Sequence, residues 1–305
     1  MPPKKDLTFT RDLLLKITLV LKVVPVSWVY ALNESYEIDK KIINNIIHSM
    51  RRNGFISFEQ KYPGERFIFL TQKGFDRASK QIKPNYSYKS WSKGATRTET
   101  IFRHHHYITF RFLLDYISNS ETLANVYVDY DRDCKLGFKV GNHEYNIYPD
   151  ALIRSKDQDN YHKIICLEAD TGQEEIKRIF DKLLRYLIYI HKNFSSEDIT
   201  QLKIYFSFAT SRRAESVFKP STEGNKNGVI YSLYNQGTRM SFLYEKTQES
   251  LGIREFFDIL KSSKIELYFG TIENTASEFE KVEFLENILA SCPKTAELYK
   301  QLYSN

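Results

Sequence analysis

Three cysteines among 305 residues, Cys134, Cys166 and Cys292, are scattered without a C-x-x-C pair. That scarcity excludes a disulfide framework and a thiolate zinc knuckle, and it fits a reducing compartment. Long apolar runs are also missing. None approaches the roughly 18 to 20 residues of a membrane span, and the basic start from Met1 to Lys5 leads into no signal-like core with a small-residue cleavage site. The expectation is a cytoplasmic protein with no membrane attachment. What is present is 42% apolar residues with 44 Lys plus Arg against 38 Asp plus Glu, the composition of a folded chain. The length suggests about two domains.

The net charge of +6 conceals an asymmetry: residues 1–100 carry 18 Lys plus Arg and 9 Asp plus Glu, whereas residues 101–305 carry 26 and 29. A basic first part and a mildly acidic body suit a protein that holds a polyanion with the first and processes or reads it with the second. Many solvated faces are basic as well, so the charge alone does not select nucleic acid.

Over residues 1–80 the apolar spacing predicts helix, helix, helix, hairpin, helix. Leu13, Leu14, Ile17, Val20 and Leu21 recur at helical spacing before Pro25 interrupts, and a short segment from Ser27 to Leu32 follows. Asp39 is suited to cap the next helix, whose positions Ile42, Ile43, Ile46, Ile47 and Met50 define a buried stripe. The opposite face then carries Lys41, Asn44, Asn45, His48, Arg51 and Arg52, side chains that reach base edges and phosphates. Beyond Asn53-Gly54, two aromatic and aliphatic runs flank Tyr62-Pro63-Gly64-Glu65, a turn that makes a hairpin with Lys61 and Arg66 near its tip. The run RRNGFISFEQKYPGERFIFLTQKGF resembles the second half of a winged helix-turn-helix domain, covering about residues 8–80. The resemblance implies DNA binding; such domains also serve as protein-protein modules. Residues 81–98, with basic residues interleaved among Tyr86, Tyr88 and Trp91 and no regular period, read as a basic linker.

From residue 99 the pattern changes to a helix, three strand-like runs at 126–130, 145–153 and 163–169, a long helix from about Gln173 to His191, a strand at 202–208 and another at 264–271. That order predicts an α/β core with a mixed central sheet over residues 99–275, followed by a helical extension over 276–305. The extension covers a sheet edge or makes a dimer contact, and the sequence does not choose. Asp150 follows Pro149 in one β run; Glu168 and Asp170, two residues apart in another, project from one face of their strand. Carboxylates within about 4 Å of one another repel by roughly 4 kcal/mol per pair at an effective dielectric near 20, so they share a proton or a cation. Oxygen-rich clusters suit Mg2+ or Mn2+.

Pro149-Asp150, with Glu168-Ala169-Asp170 eighteen positions on, is similar to the PD-(D/E)XK pattern of restriction-endonuclease-like nucleases. A closer resemblance is to the plasmid replication-relaxation family, in which a winged helix precedes such a core. It is carried by HHHYITFRFLLDY, YPDALI, LEADTGQEEI, KLLRY, SRRAESVF and IELYFGTI, spread over residues 104–271. The resemblance implies a relaxase-like nickase or endonuclease acting on plasmid or mobile-element DNA, with Asp150 and Glu168 as metal-binding acids and the Ala169 carbonyl a further candidate ligand. Asp170 stands where such nucleases usually have a lysine. The attacking water is then deprotonated by a second metal, by Asp170 itself or by a lysine from elsewhere. Lys182, four residues before Tyr186 on the flank of the long helix, is the candidate; its alternative is to snorkel into solvent.

Other residues carry weaker assignments. His104, His105 and His106 are consecutive on a helix and point about 100° apart, so they do not form a metal triplet. The family likeness places His106 near the site; a structural histidine is the alternative. Glu121 and Glu144 are further acids that no spacing selects. Arg212 and Arg213 open a short helix after the fourth strand, where an arginine can grip a phosphate or simply be solvated. The competing function is a catalytically inactive DNA-binding regulator on a nuclease scaffold. A junction resolvase would need a homodimer with two facing sites.

Overall fold

The structure, a computed structural model, describes residues 7–21, 23–32, 38–62, 65–81, 103–119, 126–130, 134–140, 143–156, 162–172, 174–193, 199–218, 241–244, 249–262, 264–291 and 293–304. The chain divides into two compact units, Met1–Asp129 and Tyr130–Asn305.

In the first unit the order is α1 (Leu7–Leu21), β1 (Val23–Pro25), α2 (Val26–Val29), α3 (Lys40–Arg52), β2 (Ile56–Tyr62), β3 (Glu65–Leu70), α4 (Gln72–Gln81) and α5 (Arg103–Asn119). The three strands form an antiparallel sheet in the order β1-β3-β2. Helix α3 begins where the Asp39 carboxylate accepts the Lys41 N–H at 2.6 Å, a cap that satisfies an otherwise unpaired helix donor. It ends at Asn53, followed by Gly54 at φ 71°, a left-handed conformation that glycine adopts without a Cβ penalty. Its buried face is Ile43, Ile46, Ile47 and Met50, and Leu13, Leu14, Ile17, Val24 and Ile68 of the same unit are buried too. Ile42, expected in that stripe, is instead 40% exposed, because it lies in the first turn and about 100° round from Ile43. Gly74 lets α4 lie against the Phe55 backbone: a Cβ there would come within 1.9 Å of the Phe55 carbonyl oxygen. The basic linker at 81–98 lies outside the described residues beyond Gln81, and α5 falls in the first unit rather than with the α/β core.

The second unit is built on a mixed sheet. Its strands are β5 (Leu136–Val140), β6 (His143–Ile147), β7 (Ala151–Lys156), β8 (His162–Asp170), β9 (Ile199–Phe208), β10 (Ser241–Tyr244), β11 (Glu249–Gly252), β12 (Ile265–Thr271) and β13 (Glu280–Lys281). Strand β4 (Val126–Tyr130) straddles the division between the units. The six-stranded sheet has the order β13-β12-β9-β8-β7-β4, while β5 with β6 and β10 with β11 form separate hairpins. Strands β8, β9 and β12 are parallel; β7 runs antiparallel to β8, and β13 to β12. Helix α6 (Ile176–Asn193) makes the crossover from β8 to β9, and α7 (Ser211–Phe218) follows β9. The helices α8 (Ile253–Lys261), α9 (Phe284–Ser291) and α10 (Pro293–Tyr303) complete the unit.

Alternation along β8 and β9 puts Ile164, Cys166, Leu202, Ile204, Phe206 and Phe208 into one core with Leu183, Leu187 and Phe218 of α6 and α7. Two expectations are corrected. The single run at 145–153 is two strands, broken at Tyr148-Pro149-Asp150, since Pro149 has no N–H to give a ladder. A helix beginning near Ala276 is replaced by a short 3-10 turn (Ala276–Glu278) and β13, which extends the sheet edge through Tyr268 and Phe269.

Candidate functional site

The last residues of β8 carry the carboxylates. Glu168 faces α6 and is 2% exposed. One of its oxygens accepts the Tyr186 hydroxyl at 2.5 Å and the other accepts the Lys182 ammonium at 2.9 Å. Lys182 and Tyr186 are one helical turn apart, so both reach the same strand end. The Lys182 ammonium also lies 3.2 Å from the Glu174 carboxylate. Asp150, at the bend between β6 and β7, gives its N–H to the Leu167 carbonyl and accepts the Ala169 N–H on Oδ2 at 2.7 Å. It is therefore stitched to β8 on both sides of Glu168.

Burial pushes the Glu168 carboxyl above its ordinary range, and the Asp150 charge adds to the effect while Lys182 opposes it. Burial acts to lower Lys182, but the charges of Glu168, Asp150 and Glu174 outweigh it, so the ammonium stays protonated and its pKa is raised. The Tyr186 hydroxyl and the Cys166 thiol are both raised by burial first, and Glu168 adds to each. Both remain neutral donors, and neither is placed to act as an anionic nucleophile.

Asp170 has a different setting. Its Oδ2 accepts Arg213 Nε at 2.8 Å and its Oδ1 accepts the Gly172 N–H at 2.7 Å. Gly172 has φ 91°, the left-handed region that favours glycine. The same guanidinium donates to the Glu174 carbonyl. Arg213, read as able to grip a phosphate or simply be solvated, pairs with Asp170 and the turn after β8, because a carboxylate 3% exposed needs a cation beside it. Arg212 is exposed.

The structure brings together Asp150, Glu168, Lys182 and Tyr186, and it adds Glu174, which the sequence reading missed. An acidic residue just before a helix has a ready explanation in the helix dipole, so nothing singled it out. His106 lies on α5 in the first unit and its side chain is outside the described residues. Glu121 is also outside them. Glu144 is an exposed partner of Lys135 at 3.0 Å.

Asp150, Glu168 and Glu174 surround Lys182, while Asp170 pairs with Arg213. No group of three His, Cys, Asp or Glu suited to a metal occurs among the described residues. Asp150 and Glu168 are the two carboxylates that could take a hard divalent cation, whose shell water and a phosphate would have to complete.

In the first unit, Lys41, Asn45, His48, Arg51 and Arg52 are exposed on α3. Asn44 is half-buried and its Oδ1 accepts the Tyr30 hydroxyl at 2.7 Å, which ties α3 to the end of α2. The Arg51 and Arg66 guanidinium carbons lie 5.1 and 5.4 Å from the centroid of the Phe58 ring, so helix and hairpin hold their cations against one aromatic surface. The Lys61 side chain, Pro63 and Gly64 lie outside the described residues. No helix among the described residues is long and apolar enough to cross a membrane.

No family profile matches this chain, and no curated protein matches it.

Proposed function

We propose that this α/β protein is a metal-dependent DNA endonuclease, acting as a nickase in plasmid or mobile-element replication or mobilisation. The observation that carries the reading is the Lys182 ammonium 2.9 Å from Glu168, beside Asp150. A lysine at a carboxylate pair is what the PD-(D/E)XK pattern supplies from the strand. Here α6 delivers it, so Asp170 in the lysine's place does not empty the site of a cation.

In this reading Asp150 and Glu168 hold Mg2+ or Mn2+, which when bound supplies positive charge to a phosphodiester and lowers the pKa of water. Lys182 donates a hydrogen bond to the attacking water or to a phosphate oxygen and stabilises the charge that grows there. Tyr186 fixes the carboxylate plane of Glu168. The cut leaves no covalent protein-DNA bond, since the buried tyrosine is held as a hydroxyl donor.

The first unit is read as a winged helix-turn-helix domain. Helix α3 is its reading helix, with Lys41, Asn45, His48, Arg51 and Arg52 outward; β2 and β3 are its wing, carrying Arg66 and Lys61. The protein works on DNA in the cytoplasm, alone or as a homodimer.

One observation favours a second reading. Asp170 is fully engaged by Arg213 and the Gly172 N–H, as in a scaffold that retains only packing roles, and the protein is then a DNA-binding regulator. Supercoiled plasmid incubated with magnesium or manganese separates the two. Open circles from wild type, absent with Asp150→Ala and Glu168→Ala, support the nuclease; salt-sensitive DNA binding with no cutting under either metal supports the regulator.

A further inference from the structure

We propose that Arg213 and Glu174 are positioning residues that hold Lys182 at the carboxylate site, and that Glu174 keeps the ammonium in place when Glu168 is drawn to a cation. The consequence for rate rests on the nuclease reading; the geometry does not.

The contacts form a closed circuit. It leaves β8 at Asp170, whose Oδ2 accepts Arg213 Nε at 2.8 Å. The Arg213 guanidinium passes to the Glu174 carbonyl. The Glu174 carboxylate takes the Lys182 ammonium at 3.2 Å, and Lys182 returns to β8 at Glu168, at 2.9 Å. The circuit starts and ends two residues apart on one strand.

Each link has a physical reason. An ammonium has three donors in a tetrahedral array, so Lys182 serves two carboxylates at once. Glu174 lies two residues before the start of α6, so the helix does not fix it. Arg213 supplies that fixation from α7. Its planar fork suits two acceptors at a set spacing, which a lysine's single ammonium does not reproduce. Asp170 anchors the fork because it is buried, and the Gly172 N–H holds its second oxygen.

The circuit also accounts for an aspartate where related nuclease patterns carry lysine. If Glu168 were drawn to a divalent cation, Lys182 would lose its hold on those oxygens and be repelled. With Glu168 as its one partner, Lys182 would be driven off. With Glu174 fixed beside it, Lys182 keeps a carboxylate and stays within reach of the site. Asp170 is thus the root of the arrangement that lets a helix deliver the lysine.

The test compares wild type with Arg213→Gln, Arg213→Lys, Glu174→Gln and the double variant Arg213→Gln/Glu174→Gln. Two readouts are taken: magnesium-dependent nicking of supercoiled plasmid, with kcat and KM separated, and the 15N resonance of the Lys182 ammonium in the metal-free protein, assigned with Lys182→Met. Both single glutamine variants should lose at least about tenfold in kcat with KM within about twofold, the size of loss a small misplacement of a reacting group causes. The double variant should be no worse than the stronger single, because both act through one circuit. Arg213→Lys should recover part of the rate. The ammonium resonance should be seen in wild type and be lost in both single variants.

An unchanged kcat in Arg213→Gln, or losses that multiply in the double variant, overturns the proposal. If wild type does not nick, the nuclease reading falls and the resonance alone decides: its persistence in Arg213→Gln overturns the circuit, and its loss there supports it. If thermal melting shows that Arg213→Gln does not fold, Glu174→Gln and Arg213→Lys decide by the same criteria.

Discussion

Lys182 meets Glu168 at 2.9 Å although the two residues lie fourteen positions apart, one on the crossover helix and the other on the strand before it. The ammonium is the nearest cation to a carboxylate that burial has already raised. Removing it should therefore do two things at once.

Lys182→Met leaves Glu168 buried without its cation. Breaking a buried pair from one side costs about 3 to 5 kcal/mol, reduced here by the ammonium's partial exposure, 28% of its side chain. Urea unfolding should show a lower midpoint at unchanged slope, and nicking should fall by about 10²-fold or more, the range of a lost charge-stabilising donor.

Tyr186→Phe removes the hydroxyl that Glu168 accepts at 2.5 Å and keeps the ring in the core. An unsatisfied buried acceptor costs about 1 to 3 kcal/mol. The variant should fold, melt earlier and retain its DNA affinity. Equal stability to wild type would mean that the hydroxyl does not hold Glu168.

Arg51→Gln and Arg66→Gln act on the Phe58 surface. If both arginines contact phosphate, each substitution should weaken DNA binding uniformly across sequences and flatten the log Kd against log salt slope by about one. Fluorescence anisotropy at several salt concentrations measures this. A change in affinity confined to one sequence would point to base contact instead.

Lys16, 4% exposed in the core of the first unit, has its pKa pushed down to about 8 by burial. Between about pH 8 and 10.5 the unfolded chain holds a proton that the folded chain has released, so stability should rise with pH through that window. Below pH 8 both states are protonated and the full cost remains, on the order of 3 kcal/mol for this shift. Lys16→Met should remove this pH dependence, as read from denaturation of wild type and variant in parallel.

Element by element, the sequence was most readable where side chains repeat with a strong period. The stripe Ile43, Ile46, Ile47 and Met50 and the cap at Asp39 place α3 to the residue. The apolar face of β8 and the stripe of α6 place the strand, the crossover helix and the core between them. Strand β5 went unread, since Leu136 and Phe138 alternate over only a few residues beside Gly137. At the site, Glu168 and Lys182 were picked out because each sits at a defined phase of its element, and Asp150 because it follows Pro149 at the start of an apolar run. Glu174 was not, because it belongs to a turn whose conformation is set by Arg213, thirty-nine positions away. The Arg213–Asp170 pair was not legible for the same reason: a position at a helix start says nothing of a buried aspartate at the end of a strand.

The central claim is that the carboxylates at the end of β8 cut DNA, and the most direct measurement is the rate at which supercoiled plasmid becomes open circle in magnesium, for wild type against Asp150→Ala. Wild type should give open circles with free, protein-unlinked ends and the variant none, with DNA binding equal in both. Equal nicking by both proteins, or no nicking by a wild type that binds the same DNA, would contradict it.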